Sequence, residues 1–186
     1  LPIGWYRYRA MDFGTSNPTV CLWIAIDRDD NLWVYDEYYR TQQTVNFHAD
    51  LIKTKTQSVP VVSTWGDPSA EQEILDYGAQ QVFITPAVKV FSGNEQSWVR
   101  AGIDRVSELL KIRQLTGKPK IFIFANCVNT IREFESYSWL EKKQTQIFEE
   151  NAKDMPLKAN DHCMDALRYF VVSYFAGKLI SDTYAI

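Results

Sequence analysis

Apolar and β-branched residues open the chain in three blocks, 6–13, 19–27 and 32–40, rich in Val, Ile, Tyr and Trp and separated by turn residues. That pattern predicts three strands. Between the second and third blocks, Arg28–Asn31 reads RDDN, a tight hairpin connection, so those strands are expected to pair antiparallel. The spacing then turns helical over 44–57, where Val45, Ala49, Leu51 and Ile52 recur and Thr44 stands at the N-cap position. Short apolar runs at 61–65, 82–85 and 121–124 alternate with helical stretches at 70–77, 96–115 and 129–137. Gly78 is expected to end the first of those helices and Gly117 the second. A charged hairpin is predicted over 137–148 and a last helix over 160–175.

Three antiparallel strands followed by strand–helix alternation predict an α/β fold, a mixed sheet that is antiparallel and then parallel, with helices on both faces. With no repeat, low-complexity segment or linker, residues 1–186 are expected to form one domain. Composition narrows the picture only at its edges. Hydrophobic residues make up 46% and charged residues 23%, which suits a packed globule and not a disordered tail. No apolar run reaches membrane-spanning length and the N-terminus lacks a signal pattern, so no membrane contact is expected. Cys21, Cys127 and Cys163 lie far apart with no CxxC pair and suit a reducing compartment. The net charge of −3, without a basic run, argues against strong nonspecific nucleic-acid binding by phosphate neutralisation. Acidic residues that hold cations would reverse that sign locally.

Three places could carry chemistry. Asp12 ends the first strand just before Phe13 and Gly14, where a side chain can emerge at the sheet edge. Asp67 lies just past the fourth strand in WGDPS, although it also suits an N-cap followed by Pro68 at the first helical position. The last helix opens with Asn160-Asp161-His162-Cys163-Met164-Asp165-Ala166-Leu167-Arg168-Tyr169, which places Asp161, His162 and Asp165 on one face. Ordinary capping, with Asp165 paired to Arg168, also accounts for that face. Two strand-end aspartates and a helix aspartate are what a two-metal nuclease needs. Mg²⁺ or Mn²⁺ prefers carboxylate oxygens, and two such ions activate a water and stabilise the departing oxygen of a phosphodiester. Without cations the clustered carboxylates would repel one another.

The order MDFGTSNP, WGDPSAEQ and KANDHCMDALRY resembles the C-terminal nuclease domain of tailed-phage large terminase subunits, over nearly the whole chain. The middle stretch PAVK…AGIDRVSELL…IFIFANCVNTIREFESYSW resembles that family as well. The resemblance implies an RNase H-like fold, related to Holliday junction resolvases, and cleavage of concatemeric double-stranded viral DNA during packaging. It implies two divalent cations, Mg²⁺ or Mn²⁺, on Asp12, Asp67 and Asp165, with Asp12 bridging them. His162 falls where relatives place another ligand or helper, and Asp161 is an outer candidate. Glu133 and Glu135 lie in matching stretches without an assigned role. Lys89, Arg100, Arg105, Lys142 and Lys143 are candidate phosphate contacts, each of which also reads as ordinary solvated charge.

The resemblance further implies an ATPase motor domain, a portal protein and a small terminase subunit as partners of the full-length protein. Work at the procapsid in the host cytoplasm follows, with the isolated domain monomeric. No GxxxxGK[ST] phosphate loop is present, so the motor is expected outside this chain, with residues 1–5 as a linker remnant. Two other readings stay open. One is a non-catalytic RNase H-like docking module of a packaging complex. The other is a phosphate-binding relative of the sugar kinase and actin superfamily, suggested by Asp12-Phe13-Gly14-Thr15-Ser16.

Overall fold

A computed structural model describes residues 1–56, 60–89, 95–138 and 160–183, without the side chains of 95–97 and 178–183. The three N-terminal strands form as the pattern predicts: β1 (Tyr6–Asp12), β2 (Thr19–Ile26) and β3 (Leu32–Arg40). Both neighbouring pairs are antiparallel, Asp12 lying opposite Val20 and Ile26 opposite Leu32. Helix α1 (Val45–Thr56) follows, with the Thr44 hydroxyl accepting the Phe47 N–H at 3.3 Å. Then come β4 (Ser63–Gly66), α2 (Glu71–Ala79), β5 (Thr85–Pro86), α3 (Glu95–Leu110), β6 (Ile121–Ile123), α4 (Val128–Ser136) and α5 (His162–Thr183).

The sheet runs β5-β4-β1-β2-β3-β6. Strands β4 and β5 lie parallel to β1, and β6 parallel to β3, so the sheet is mixed as expected. All eight residues of β2 are buried, because helices cover both faces of the sheet. Alternation sorts the faces. Tyr8 and Ala10 of β1, with Val20, Leu22 and Ile24 of β2, pack on Leu167, Phe170 and Val171 of α5. Met11, Cys21 and Trp23 point the other way, toward Ala49 and Ile52 of α1 and Tyr77 of α2. In β3 the pairing passes from Val34 opposite Ile24 to Asp36 opposite Trp23, leaving Tyr35 as the extra residue of a β-bulge. The bulge resets the alternation and turns Glu37, opposite Leu22, toward α5.

The elements depart from their predicted bounds at several places. Val82 and Ile84 are buried, but the strand they were expected to form is only Thr85–Pro86; the Val82 N–H is already committed to the Tyr77 carbonyl at 3.0 Å. Helix α3 stops at Leu110, and Gly117 (φ 63) closes the turn after it instead of the helix, its N–H meeting the Arg113 carbonyl at 2.8 Å. Helix α2 passes through Gly78, and α5 runs on to Thr183. The hairpin predicted over 137–148 lies, from residue 139 on, outside the described residues.

Candidate active site

Parity in the strands decides where the carboxylates go. Asp12 follows Tyr8 and Ala10 on the face covered by α5, and β1 ends there. The parallel neighbour β4 ends beside it, with Met11 opposite Gly66, so Asp67 leaves the sheet next to Asp12. Helix α5 then crosses over both strand ends and begins at His162. The structure thereby gathers Asp12, Asp67, Asp161, His162 and Asp165 at one end of the sheet.

Asp12 is 8% exposed, and its Oδ2 lies 2.8 Å from His162 Nδ1. Burial pushes the Asp12 carboxyl up to about 6. The hydrogen bond from His162 works against that rise, while the charges of Asp165 and Asp67 add to it. The same bond to Asp12 holds the His162 imidazole above its ordinary value, against its own burial. Tyr169 reports the convergence independently: after burial, the charges of Asp165, Asp12 and Asp67 all push its hydroxyl upward.

Each carboxylate also has a protein donor. The Ser69 N–H and hydroxyl donate to Asp67 Oδ1 at 2.8 and 2.7 Å. Asp67 therefore closes a turn of its own; α2 starts at Glu71 without a side-chain cap, so neither Asp67 as cap nor Pro68 as first helical residue is realised. Arg168 Nη2 donates to Asp165 Oδ1 at 2.8 Å, and the Asp165 N–H donates to the Asp161 carbonyl at 2.8 Å. Among the described residues, no three His, Cys, Asp or Glu side chains close on a single point. The donor set nevertheless fits a hard divalent cation: oxygen ligands predominate, and two neighbouring charges raise the pKa of the third carboxyl.

Two buried glutamates set the helix ends that frame this site. Glu37 of β3 accepts the N–H and side-chain amide of Asn129 at 2.8 and 2.7 Å on Oε1. Its Oε2 accepts the N–H and hydroxyl of Thr130 at 2.9 and 2.7 Å. A carboxylate from a strand thus caps α4, the role normally filled from within the chain. Glu133 of α4 is fully buried (0% exposed) and accepts the Cys163 N–H at 2.6 Å, capping α5 beside His162. The sequence reading left Glu133 without a role and passed over Glu37. An acid in an otherwise apolar-aromatic strand, YDEYY, was the available signal.

The candidate phosphate contacts are dispersed. Lys89 is exposed just beyond β5, whose parallel pairing places it toward the same end of the sheet as Asp67. Arg100 and Arg105 lie exposed on α3, paired to Asp104 at 3.3 Å and Glu108 at 3.0 Å. Glu135 is exposed on α4. Lys142 and Lys143 lie outside the described residues.

A family model described as the terminase RNase H-like domain matches residues 12–173, from Asp12 through the buried part of α5. The chain belongs to that family. The terminase match is supported by a curated relative, the large terminase subunit of Escherichia phage T5, 27% identical over 172 residues. That alignment covers 90% of this chain and 35% of the phage T5 protein, so this terminase chain spans roughly a third of its relative's length. Two solved structures share the fold. The large terminase of a thermophilic bacteriophage, in complex with ATP-γ-S, superposes with a TM-score of 0.72 at 23% identity, covering 94% of this chain and 42% of that one. The large terminase nuclease domain of bacteriophage SPP1, with bound Mn, gives a TM-score of 0.62 at 18% identity, covering 92% of this chain and 86% of that one. The chain thus has the RNase H-like fold of the terminase nuclease domains, as the sequence resemblance implied.

Proposed function

We propose that this chain is a divalent-metal-dependent endonuclease that hydrolyses phosphodiester bonds of double-stranded DNA, cutting concatemeric viral genomes during packaging. The observation that carries the reading is the convergence of Asp12, Asp67 and Asp165 at one end of the sheet, close enough for two of them to raise the pKa of the third. Family membership supports it, and so does the manganese bound by the SPP1 nuclease domain. Asp12, Asp67 and Asp165 would hold two cations, Mg²⁺ or Mn²⁺, with His162 and Asp161 completing the surroundings. When bound, the cations supply water activation and stabilisation of the departing 3′ oxygen. The chain's own residues do the rest. The three carboxylates would fix the cations, and His162, hydrogen-bonded to Asp12 at 2.8 Å, is placed to carry a proton at the site. Exposed Lys89 would meet an incoming phosphate.

In the longer protein that the 35% coverage indicates, the nuclease would work beside an ATPase motor, a portal protein and a small terminase subunit, at the procapsid in the host cytoplasm. A docking module remains the second reading, favoured by the protein donor that each carboxylate already has. Plasmid digestion decides between them. The 186-residue chain is expected to cut with Mn²⁺ or Mg²⁺ and not with chelator, while Asp12→Asn loses at least about a hundredfold in rate. Uncut plasmid with every metal, or equal cutting by Asp12→Asn, would move the assignment to the docking module.

A further inference from the structure

We propose that Arg168 is the positioning residue for Asp165, admitted to its place by Gly102, and that this pair fixes the carboxylate α5 contributes to the cation site. The inference rests on the metal-dependent reading above. Arg168 is 3% exposed and sits one turn beyond Asp165. Its Nη2 and Nε both donate to Asp165 Oδ1, at 2.8 and 3.3 Å. The guanidinium carbon lies 4.6 Å from the Trp98 ring centre and 4.7 Å from that of Tyr169. Trp98 is itself anchored, its indole N–H donating to the Val88 carbonyl at 3.1 Å.

An ordinary (i, i+3) ion pair on a helix surface contributes little and needs none of this support. Arg168 is instead desolvated, stacked on two rings and aimed at one oxygen. A buried ion pair is a poor route to stability compared with apolar packing, so its presence points to orienting the carboxylate. Gly102 gives the second, independent observation. It lies within α3, where glycine is a poorer helix former than alanine. Its backbone φ is not in the left-handed region, so conformation does not require glycine. Clearance does: a Cβ there would stand 2.5 Å from Arg168 Cγ and 2.7 Å from Cδ. The missing side chain on α3 is the space through which the Arg168 stem reaches Asp165.

Gly102→Ala therefore displaces Arg168 without touching any proposed cation ligand. The test uses the full 186-residue chain and Mn²⁺ alone, with free Mn²⁺ followed by electron paramagnetic resonance, the fold by circular dichroism and plasmid cleavage in parallel. Gly102→Ala and Arg168→Met are each expected to weaken Mn²⁺ binding roughly tenfold or more, the range found for residues that orient metal ligands. The double variant should be no worse than Arg168→Met alone, since both changes remove one interaction. Arg168→Lys should not rescue, because an ammonium keeps the charge without the planar fork. It also serves as the background if Arg168→Met does not fold. Wild-type Mn²⁺ affinity in Gly102→Ala, or losses that multiply in the double variant, would overturn the proposal. A wild-type chain that neither binds Mn²⁺ nor cuts overturns the nuclease reading as well, which separates the two failures.

Discussion

At the residue scale, the Asp12–His162 contact makes the site responsive to pH. Burial and two neighbouring carboxylates hold Asp12 at about 6, above the 3.8 of an ordinary aspartate. Between those values the folded chain binds more protons than the unfolded one, so the Asp12 contribution to stability falls as pH rises through that window. The raised His162 acts in the same sense: its contribution is complete below the unfolded pKa and disappears as pH climbs through the folded one. In chelator, the melting temperature should therefore fall from about pH 4 to about pH 8 by more in the wild type than in Asp12→Asn. Mn²⁺ binds the deprotonated carboxylate, so its stabilising effect should grow over the same interval. Parallel melting curves for the two chains, with no added effect of Mn²⁺ at the higher pH, would remove Asp12 from the site.

At the element scale, the site depends on two helix N-termini capped from elsewhere in the chain. Glu37 holds α4 from β3 through four hydrogen bonds, and Glu133 holds α5 from α4 through the Cys163 N–H. Leaving the Asn129 and Thr130 donors without their acceptor should cost roughly 2–4 kcal/mol in Glu37→Ala. Because α4 carries Glu133, amide exchange in the first turn of α5 should accelerate too, measured by hydrogen exchange with mass spectrometry. The exposed Glu135→Ala serves as the control; unchanged protection of α5 in Glu37→Ala would show that the two caps are not coupled. None of this coupling is legible from periodicity. Spacing revealed the three strands, the Arg28–Asn31 hairpin connection, α1 and the final helix, because each is a local pattern repeated over several residues. It missed the Glu37 and Glu133 caps because each joins residues far apart in sequence, Glu37 to Asn129 and Thr130 and Glu133 to Cys163. It also misplaced β5, whose apolar residues Val82 and Ile84 pack beneath α2 while only Thr85–Pro86 pairs. Gly117 misled for another reason: its positive φ serves a turn that the helix never reaches.

At the scale of the whole molecule, charge separates cutting DNA from holding it. The chain carries a net charge of −3, and the candidate phosphate contacts Arg100 and Arg105 are each paired to an acid on the same helix. Lys89 stands exposed at the site's end of the sheet, and Lys142 and Lys143 complete the candidates. Each phosphate neutralised contributes a slope of about −0.9 in log K against log salt. Five such contacts set a limit near −4.5. Fluorescence anisotropy on labelled duplexes should accordingly show weak binding without sequence preference. Ca²⁺ should strengthen it by screening the aspartate cluster, and the gain should vanish in Asp12→Asn. A slope much steeper than that limit, or tight binding with chelator present, would mean a basic surface that carries DNA independently of the carboxylates.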